Sequence, residues 1–582
     1  MRNRILLRGL WCGFVLLSFV TAGCLTGNLH KHVHFPVDWW PAQSAPTTFI
    51  SVANPSTQGE QNLLQALSGF AARAVNESRG HELVWKEVDS ANFSDWQKRT
   101  VSRLSLVPEE KSDVWALLDS YTARGWVKGY VIYRTAGGKK RSVSEEIDKS
   151  VNVATTLAGL MDAVPVDEAM EDRVVARGLK KLADARDLSM EKALQLYRDQ
   201  CNRSVVCLLN PSVDHMRDIA VANRAFVGYG TNTVTDALLA WSDPLAPVLG
   251  WGQGDEFKHT APISRKGHFH TVSDNAQNLS FLSAGAGEYE FRKIKPMDPR
   301  TIDWNDKRRC LAFMMSDGDN LAFMLDGIWS RQYMGHPSHG AFPMGWSACL
   351  SDLAQVAPVV IDRLNEIKPP QTTYVQFGGG YFYPDLFAAD CINRMELLRA
   401  HAKRIGAQMQ RSGATVLCCI MSTSDTPEAQ EALRVLAEEI HPLLGVMVMD
   451  YAPYNRMQGR VYWIKDGRGD EVPVITARYC MWGGMKAKRA GAPEEIAKWV
   501  NDDAKAQLDP QHSWVAVHAW SRHRNPATGV EESGLEPVRR CVDSLDTGAL
   551  RVVSPEELLW RLRMTHDPKG TRAAVESLQK KE

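Results

Sequence analysis

Three aspartates follow apolar, strand-like runs in the second half of the sequence. Asp317 and Asp319 come after the run 310–315, and Asp450 comes after the run 445–449. Two carboxyl groups, one protonated and one ionised, can divide acid and base or nucleophile roles between them, as they do in the cleavage of glycosidic bonds. We therefore predict Asp450 as one catalytic carboxyl group and Asp317 or Asp319 as the other. The alternative is that Asp317 or Asp319 is a turn and helix-cap residue, which an Asp-Gly pair favours.

Aromatic residues and glycines also follow the ends of these apolar runs. Tyrosine and tryptophan combine an apolar ring with a polar tip, which suits the apolar faces and polar edges of sugars. We expect Gly378 and Gly380 to let the backbone approach a ligand closely. The residues expected to bind substrate are Asn320, Gly378, Gly380, Tyr381, Tyr383, Tyr451, Trp482, His518, Trp520 and, from the first half of the chain, Glu256.

The glycine-rich stretch 378–380 has two other interpretations. A dinucleotide-binding fingerprint requires a third glycine and a helix that begins at the loop. Tyr383 stands at the position of the third glycine and Pro384 follows it, which argues against nucleotide binding. A purely structural turn, with the glycines at positive φ, stays open as the alternative to a ligand-binding loop.

The order of strands and helices after residue 310 indicates how these residues could meet. Apolar, β-rich runs occur at 310–315, 373–377, 415–421, 445–449, 473–477, 514–518 and 551–553. Helical patterns occupy 351–366, 390–411, 427–440, 493–507, 535–545 and 555–563. This alternation implies a parallel sheet, so we predict an α/β fold with a (β/α) barrel-like domain, complete or incomplete, whose eighth strand is not obvious. The strand ends of such a barrel share one rim, where we expect one cleft.

We predict an N-terminal α/β domain at 46–290, before the barrel-like domain. Its strand patterns lie at 49–53, 126–133 and 205–209, and its helical patterns at 60–75, 169–184 and 190–200. The charged, proline-containing stretch 291–309 predicts a linker. The barrel-like domain is assigned to 310–565, and 566–582 is expected to be a charged, frayed tail.

Residues 1–24 predict export. Three arginines precede an apolar stretch, 9–22, which has the length of a signal peptide. The segment ends in VTAGC, which resembles a bacterial lipobox, so we expect lipidation of Cys24 and anchoring in the cell envelope. The next residue is not Asp, which favours the outer membrane. The alternative is a plain secretory signal, and residues 25–45 are interpreted as a tether.

Composition narrows the class of protein. The 582 residues include 68 Lys+Arg and 68 Asp+Glu, so the net charge is zero and nucleic acid is not expected as a partner. With 44% hydrophobic residues the chain can bury enough apolar surface to fold. Apart from Cys12 and Cys24, most cysteines lie in apolar runs and are expected to be small buried hydrophobes. Cys201 and Cys207 could form a disulfide. The sequence indicates no oligomeric state.

One stretch carries a family resemblance. Residues 378–384 read GGGYFYP and reproduce the motif GxGYxYP, and SDGDN at 316–320 and VLGWG at 248–252 with Glu256 are also similar. The chain therefore resembles the GxGYxYP putative glycoside hydrolase family over nearly all of its mature length. The resemblance implies carbohydrate chemistry but names no catalytic set. Glu256 and Asp274 are expected to reach the cleft if the two domains pack rim to face.

Two other functions stay open. Asp317 and Asp319, followed by His336 and His339, are similar to the metal-binding pattern of polysaccharide deacetylases, although HxxH departs from the expected HxxxH. The oxygens of 317–320 could instead hold calcium. A non-catalytic surface lipoprotein that captures glycans is the second alternative. The main prediction is a glycosidase without cofactor or metal ligands, with a carbohydrate substrate and a membrane contact through its lipid anchor.

Overall fold

The chain folds as a mixed α/β structure. A computed structural model describes residues 35–135, 147–230 and 233–579, and the described residues from Pro36 onward form one compact unit. Among these residues, no helix is both long and apolar enough to span a bilayer. The predicted signal segment and its Cys24 lie outside the described residues.

Three small parallel sheets occupy the first half. Their strands are β1 (Thr48–Val52), β2 (Glu82–Lys86), β3 (Val107–Pro108), β4 (Gly129–Tyr133), β5 (Ala163–Asp167), β6 (Lys181–Asp184), β7 (Asn202–Leu208), β8 (Ala225–Gly228), β9 (Pro247–Gly250) and β10 (Phe269–Val272). The strand orders are β2-β1-β3, β5-β4-β6 and β10-β9-β7-β8. The α/β structure predicted for 46–290 is therefore divided among three sheets. The bounds of the predicted N-terminal domain stay a prediction.

One long helix joins the first two of these sheets. The helices of this half are α1 (Gln58–Asn76), α2 (Ala91–Leu104), α3 (Val114–Ala123), α4 (Ser150–Met161), α5 (Glu171–Val175), α6 (Met190–Tyr197), α7 (Arg217–Ala222), α8 (Thr233–Trp241), α9 (Glu256–Arg265) and α10 (Leu279–Leu282). The Thr57 hydroxyl caps α1 by accepting a hydrogen bond from the Glu60 amide at 3.2 Å. Leu63, Leu67 and Phe70 of α1 lie in one core with residues of β1, β4 and β5. The two sheets thus share a hydrophobic core.

The second half contains one large sheet of mainly parallel strands. Its strands are β11 (Arg309–Met315), β12 (Met344–Ala348), β13 (Thr372–Phe377), β14 (Val416–Met421), β15 (Gly445–Asp450), β16 (Val461–Lys465), β17 (Glu471–Thr476), β18 (Tyr479–Met481), β19 (Ala490–Gly491) and β20 (His512–Val517). A small hairpin, β21 (Arg522–Arg524) and β22 (Glu531–Ser533), lies outside it, and β23 (Leu550–Val552) pairs with β11. The order along the sheet is β16-β17-β15-β14-β13-β12-β11-β20-β18-β19.

The two ends of this sheet meet in one short segment. Strand β17 pairs with β15, strand β18 pairs with β20, and only Ala477 and Arg478 separate β17 from β18. The Ala477 amide donates to the Val448 carbonyl and the Arg478 amide donates to the Trp514 carbonyl, each at 3.1 Å. The sheet therefore curls around its core, which confirms the α/β class and the barrel-like sheet.

Helices follow most strands of the curled sheet. They are α11 (Leu321–Leu325), α12 (Leu350–Val356), α13 (Pro358–Ile367), α14 (Arg394–Ser412), α15 (Pro427–Glu439), α16 (Pro493–Lys505), α17 (Leu535–Asp543), α18 (Pro555–His566) and α19 (Pro568–Gln579). Helix α15 begins as its sequence indicates, with Pro427 in the first turn and the Thr426 hydroxyl accepting from the Ala429 amide at 3.2 Å. Its apolar residues Leu433 and Leu436 are fully buried.

Alternate residues of the strands point into the curled sheet. Met447 and Met449 of β15 and Ala312 and Met314 of β11 belong to one buried core. This pattern follows from strand geometry, since successive side chains point to opposite faces. Cysteines contribute to the core as expected: the nine in the described part of the chain form no disulfide, and Cys391 alone among them is not buried.

Some elements differ from the sequence-based predictions. Strand β12 was not predicted, because its residues MGWSA include small residues of low strand propensity. Gly345 is needed there, since a β-carbon on it would lie 2.5 Å from Pro555. The predicted helix 351–366 is two helices, because Pro358 begins α13. The predicted helix 169–184 is wrong, because this segment holds the short α5 and strand β6.

The predicted tether and tail are also corrected. Within the tether, Trp39 and Trp40 are each 5% exposed, and their amides donate to Gln355 at 2.6 and 2.9 Å. Two adjacent tryptophans bury a large apolar area, which holds this segment on the protein. The tail forms α19 up to Gln579 rather than fraying. The linker 291–309 is packed as well, with Ile294 and Ile302 buried.

Candidate active site

A cavity of about 160 Å³ lies at the carboxyl ends of the curled sheet. Its floor consists of Phe377, Ile420 and Met449, which end the inward rows of β13, β14 and β15. The other side comes from the first half of the chain. The complete lining is Trp251, Glu256, Val272, Asp274, Ser316, Asp317, Asp319, Asn320, Phe377, Tyr381, Ile420, Met449, Tyr454 and Trp520. Four carboxyl groups from two regions of the sequence thus share one cavity.

Strand β10 holds the two halves together at this cavity. The His270 amide donates to the Tyr381 carbonyl at 2.9 Å, and the Tyr381 amide donates back to the His270 carbonyl at 2.7 Å. Two residues further along β10, Val272 forms a bridge with Asn320. Since these contacts are made by backbone atoms, they fix the relative positions of the two loops that follow β11 and β13.

Asp317 is held by three donors. The Trp520 indole N–H donates to Oδ1 at 2.8 Å, the Ala519 amide donates to Oδ2 at 3.3 Å, and the Ser316 hydroxyl also donates to Oδ2. Asp317 has a φ of +65°, a left-handed conformation that Asp tolerates better than most residues. Both carboxylate oxygens act as acceptors, so the side chain has one fixed orientation at the wall of the cavity.

Asp319 lies two residues further on in the same turn. Its removal from water, with added repulsion from the charges of Asp317 and Glu256, raises the pKa of Asp319 well above its usual range. Gly318 makes the turn possible, because a β-carbon there would lie 1.8 Å from the Ser347 carbonyl oxygen. Asn320 caps helix α11 by accepting from the Phe323 amide at 3.0 Å.

Glu256 enters the cavity from the first residue of helix α9. The hydroxyl of Tyr381 donates a hydrogen bond to Oε1 of Glu256. Burial raises the pKa of Glu256 to about 7; the bond from Tyr381 acts in the opposite direction, and the charges of Asp317 and Asp255 raise the pKa further. A carboxyl group with this pKa is protonated to a large extent at neutral pH, unlike an ordinary glutamate.

An aromatic layer stands behind Glu256 and Tyr381. The Trp251 ring is parallel to the Tyr381 ring, with centroids 6.1 Å apart and an interplanar angle of 3°. Trp251 also contacts His259 and His270, whose rings lie 4.3 Å from each other. Burial lowers the pKa of His259 to about 3 and that of His270 well below its usual range, so both imidazoles are neutral.

Family models match most of the regions that build this site. The GxGYxYP putative glycoside hydrolase C-terminal domain matches residues 307–563, the GxGYxYP third domain matches 203–284, and the GxGYxYP_N second domain matches 127–201. The chain belongs to the GxGYxYP putative glycoside hydrolase family. Four cavity residues lie in the third domain of this GxGYxYP protein: Trp251, Glu256, Val272 and Asp274. The remaining cavity residues lie in its C-terminal domain.

A solved structure supports the fold of this GxGYxYP protein. The chain is similar to a putative hydrolase from Bacteroides thetaiotaomicron, with a TM-score of 0.73 and 22% sequence identity. The similarity covers 90% of this chain and 96% of the other. No functionally curated protein matches the chain. At this identity the comparison bears on the fold, which extends over nearly the whole GxGYxYP chain.

The glycines of the GxGYxYP motif contact protein. A β-carbon on Gly379 would lie 2.2 Å from Ile405 of α14, and one on Gly380, which has a φ of +76°, would lie 2.5 Å from the His270 carbonyl oxygen. Gly378 and Gly380 were expected to bring the backbone close to a ligand, and that expectation is corrected. Both are buried; Gly380 lets the loop dock against β10, as Gly379 does against α14, whereas a β-carbon on Gly378 would lie 2.5 Å from the Gly380 carbonyl oxygen of the loop itself. The structural-turn alternative describes these glycines.

The predicted aromatic residues divide into two groups. Tyr381 and Trp520 line the cavity, and Trp520 is 50% exposed at its mouth. Tyr383 is fully buried behind Tyr381, with the two hydroxyls 3.3 Å apart. Three further predicted residues, Tyr451, Trp482 and His518, do not line the cavity.

The residues outside the cavity have partners of their own. The Tyr451 hydroxyl lies 3.5 Å from Oδ1 of Asp255. The Trp482 and His518 rings are stacked 4.0 Å apart, and both contact Tyr454, which does line the cavity. They support the cavity wall through Tyr454 rather than forming it.

Asp450 does not line the cavity, so the geometry does not support its prediction as a catalytic carboxyl group. It is fully buried and accepts hydrogen bonds from the amide and the hydroxyl of Ser424 at 2.9 and 2.8 Å. The preceding residue, Met449, points into the cavity, so strand geometry directs Asp450 to the opposite face. Burial raises the pKa of Asp450 above its usual range.

The two histidines of the deacetylase alternative are engaged elsewhere. His336 pairs with Glu536 at 3.3 Å, and the His339 ring contacts Trp346. Neither histidine lines the cavity that holds Asp317 and Asp319. The geometry therefore does not assemble the metal-binding pattern of a deacetylase from these residues.

Sequence reasoning missed one cavity residue that had a usable signal. Tyr454 follows β15 by four residues, is 6% exposed and lines the cavity together with Met449. The inward row Met447, Met449 also signalled that Asp450 would point outward. The apolar run before Asp450 predicts that this residue ends a strand, but only the alternation of side chains between the two faces of that strand predicts which way Asp450 points.

Proposed function

We propose that this protein is a glycoside hydrolase whose acid is Glu256 and whose ionised carboxylate is Asp317. One observation carries the proposal: two carboxyl groups of one cavity lie in opposite environments. Burial raises the pKa of Glu256 to about 7, whereas Asp317 accepts hydrogen bonds from three donors. Environments that separate two carboxyl groups in this way assign one as acid and the other as nucleophile or base.

In this mechanism Glu256 protonates the oxygen of the leaving group. The Tyr381 hydroxyl occupies Oε1 of Glu256, which leaves Oε2 to carry the proton toward the substrate. Asp317 acts on the sugar carbon, directly or through water, and the Trp520 indole N–H fixes its orientation. Burial also raises the pKa of Asp319, which favours its protonated form beside Asp317 and so limits the negative charge of the cavity.

The cavity suits one sugar ring. Its volume of about 160 Å³ is below the roughly 300–1,000 Å³ of pockets for drug-sized ligands. Trp251, Tyr381, Tyr454 and Trp520 surround it with aromatic faces. We therefore propose that the enzyme removes a terminal sugar from a poly- or oligosaccharide.

The test is hydrolysis of a panel of glycans and aryl glycosides by the wild type and by matched carboxamide variants. Asp317→Asn should lower kcat by about 10³-fold or more on every substrate. Glu256→Gln should lower kcat strongly on unactivated glycans and much less on aryl glycosides, because a good leaving group needs little protonation. Asp450→Asn, outside the cavity, serves as the control and should keep most of the activity.

Three outcomes would overturn the proposal. Activity that persists in both Asp317→Asn and Glu256→Gln would remove the acid and the carboxylate. Loss of activity in Asp450→Asn with an intact fold would return catalysis to that residue. Glycan binding without any hydrolysis, unchanged in the two cavity variants, would indicate capture of glycans instead.

We further propose that the protein is exported and lipid-anchored at Cys24, with carbohydrate as its partner outside the cytoplasm. The support is the arginine-containing start, the apolar stretch 9–22 and the lipobox-like residues before Cys24. Growth with a labelled fatty acid should label the wild type and not Cys24→Ser. An unlabelled wild type would leave only the plain secretory signal.

A further inference from the structure

Three side chains of metal-binding type meet at one end of the first sheet, away from the cavity. His81 directly precedes β2, Glu82 is the first residue of β2, and Glu109 directly follows β3. Both strands pair with β1, and Thr48 of β1 stands opposite Glu82 on one side and Val107 on the other. The sheet therefore places the three side chains on a rigid frame.

Their ligand atoms lie at distances that suit one small ion. Nε2 of His81 is 3.7 Å from Oε2 of Glu82 and 3.6 Å from Oε1 of Glu109, and the three atoms lie within 4.8 Å of one another. Bonds of about 2.0–2.2 Å in a tetrahedral zinc site place ligands roughly 3.4 Å apart. The two distances from His81 need to shorten by only a few tenths of an ångström, and the two carboxylate oxygens, which lie within 4.8 Å of each other, draw together when the ion binds.

One of these atoms is a buried carboxylate oxygen that lacks a partner. The Glu82 side chain is fully buried; Oε1 accepts from Arg124, while Oε2 has no hydrogen-bond partner within range. An unpaired buried carboxylate oxygen is destabilising, and Oε2 faces His81, toward the centre of the three ligands.

Surrounding groups orient the ligands. The Thr48 hydroxyl donates to Oε1 of Glu109 at 2.5 Å. The amides of Thr47 and Thr48 donate to the His81 carbonyl at 2.9 and 3.0 Å, which fixes the backbone beneath the imidazole. Outer hydrogen bonds of this kind hold ligands in place in known metal sites. Arg124 offsets part of the negative charge of Glu82, so one divalent cation is enough to neutralise the negative charge that remains on the two carboxylates.

We propose that His81, Glu82 and Glu109 bind one zinc ion, with water at the open position beside the exposed His81. An imidazole nitrogen with two carboxylates is a ligand set that zinc accepts, whereas calcium and magnesium prefer oxygen ligands alone. The ion links β2 to β3 across β1 and replaces the missing partner of Glu82. It stabilises the first sheet and takes no part in hydrolysis at the cavity.

Zinc binding by the untagged full chain tests this site. Calorimetric titration with zinc chloride should show one site per chain, and zinc should raise the melting temperature of the wild type. His81→Ala and Glu109→Gln should each weaken binding at least tenfold and remove that rise. His566→Ala is the matched control, because His566 pairs with Glu471 at 2.6 Å, no third ligand joins them among the described residues, and the change should leave zinc binding unchanged.

Several results would overturn the site. A wild type that binds no zinc would mean that His81 simply lies beside the two carboxylates without holding an ion. Equal zinc affinity in the wild type and in His81→Ala and Glu109→Gln would place the ion elsewhere. Tighter binding of calcium than of zinc would exclude the proposed ion. If His81→Ala does not fold, Glu109→Gln, which keeps a polar side chain of the same size, decides between these outcomes.

Discussion

The Tyr381 hydroxyl donates a hydrogen bond to the carboxyl group of Glu256, although the two residues are 125 positions apart in the sequence. Tyr381 belongs to the loop after β13, and Glu256 begins a helix of the first half of the chain. The site is therefore shared by both halves, and neither half supplies it alone. The contact also links the protonation of Glu256 to the position of the tyrosine loop.

Glu256→Gln should make the protein more stable at high pH. A glutamate in the unfolded chain ionises near pH 4.5, while Glu256 in the folded chain ionises near 7. Between these values the folded chain keeps a proton that the unfolded chain releases, so wild-type stability falls as pH rises. The variant should gain roughly 1–3 kcal/mol over the wild type at pH 8–9 and almost nothing at pH 4.

Urea unfolding from pH 4 to 9 measures this difference. Glu290→Gln is the control, because Glu290 is exposed and its replacement should leave the pH dependence unchanged. Parallel stability curves for the wild type and Glu256→Gln would contradict the raised pKa of Glu256.

Tyr381→Phe should move the alkaline limb of the pH–activity profile to higher pH. The hydrogen bond from Tyr381 lowers the pKa of Glu256, so its loss lets that pKa rise further and keeps the acid protonated longer. At the pH optimum kcat should still fall by about tenfold, since the acid loses an orienting contact worth about 1.4 kcal/mol. Tyr451→Phe, which alters a hydroxyl outside the cavity, should leave the limb in place. A limb that moves to lower pH would contradict the assignment.

Trp520→Phe should reduce kcat/KM by about tenfold with little effect on stability. The change removes the indole donor to Asp317 and keeps an aromatic ring at the mouth of the cavity. Because Trp520 is half exposed, the free energy of unfolding should change by less than about 1 kcal/mol. The matched variant Trp482→Phe, which changes no contact with Asp317, should retain activity. Equal losses in both variants would indicate a role in ring stacking instead.

Asp450→Ala should lower stability and leave the chemistry of the cavity intact. It removes the acceptor of two hydrogen bonds from Ser424 in a fully buried position, which should destabilise the fold by about 1–3 kcal/mol. Thermal unfolding measures the loss, and kcat at a temperature well below the transition measures the chemistry. A stable variant without activity would restore Asp450 as a catalytic candidate.

Gly380→Ala should separate the two halves of the site. Gly380 has a φ of +76°, and its new β-carbon would meet the His270 carbonyl at 2.5 Å. Gly469→Ala is the control, since Gly469 has a φ of +89° with open space around it and measures backbone strain alone. The Gly380 variant should lose about 1–3 kcal/mol more than the control and should lose activity as well. Equal losses would show that the loop does not depend on its contact with β10.

The regular alternation of the second half was predictable from sequence. Strands such as β11 and β14 and helices such as α15 have strong apolar patterns and clear caps, so local physics alone indicates them. Strand β12 lacks such a pattern, and its place depends on packing against Pro555. Among site residues, the sequence indicates Asp317, Asp319 and Tyr381, because each lies in the loop that follows an apolar strand. The same rule does not place Asp450 in the cavity, because the face of the strand on which a side chain lies also decides whether it reaches the cavity.

The contribution of the first half could be predicted only in part. Glu256 was singled out by the family resemblance, since no local pattern distinguishes it from other residues at helix starts. Its closeness to Tyr381 depends on how β10 meets two loops of the other half, which is a property of tertiary packing. The sequence likewise does not single out the proposed zinc ligands His81 and Glu109, because they become neighbours only when the first sheet has formed.

Strand β10 is the edge of its own sheet until the later half of the chain covers it. A ribosome completes residues 269–272 before the loops containing Asn320 and Tyr381 exist, so the nascent chain carries an open strand edge for a time. Such edges pair readily with other molecules. A fragment that stops before the curled sheet should therefore aggregate, and exchange of the first half with that of a distant relative should fail unless the partner loops are exchanged with it.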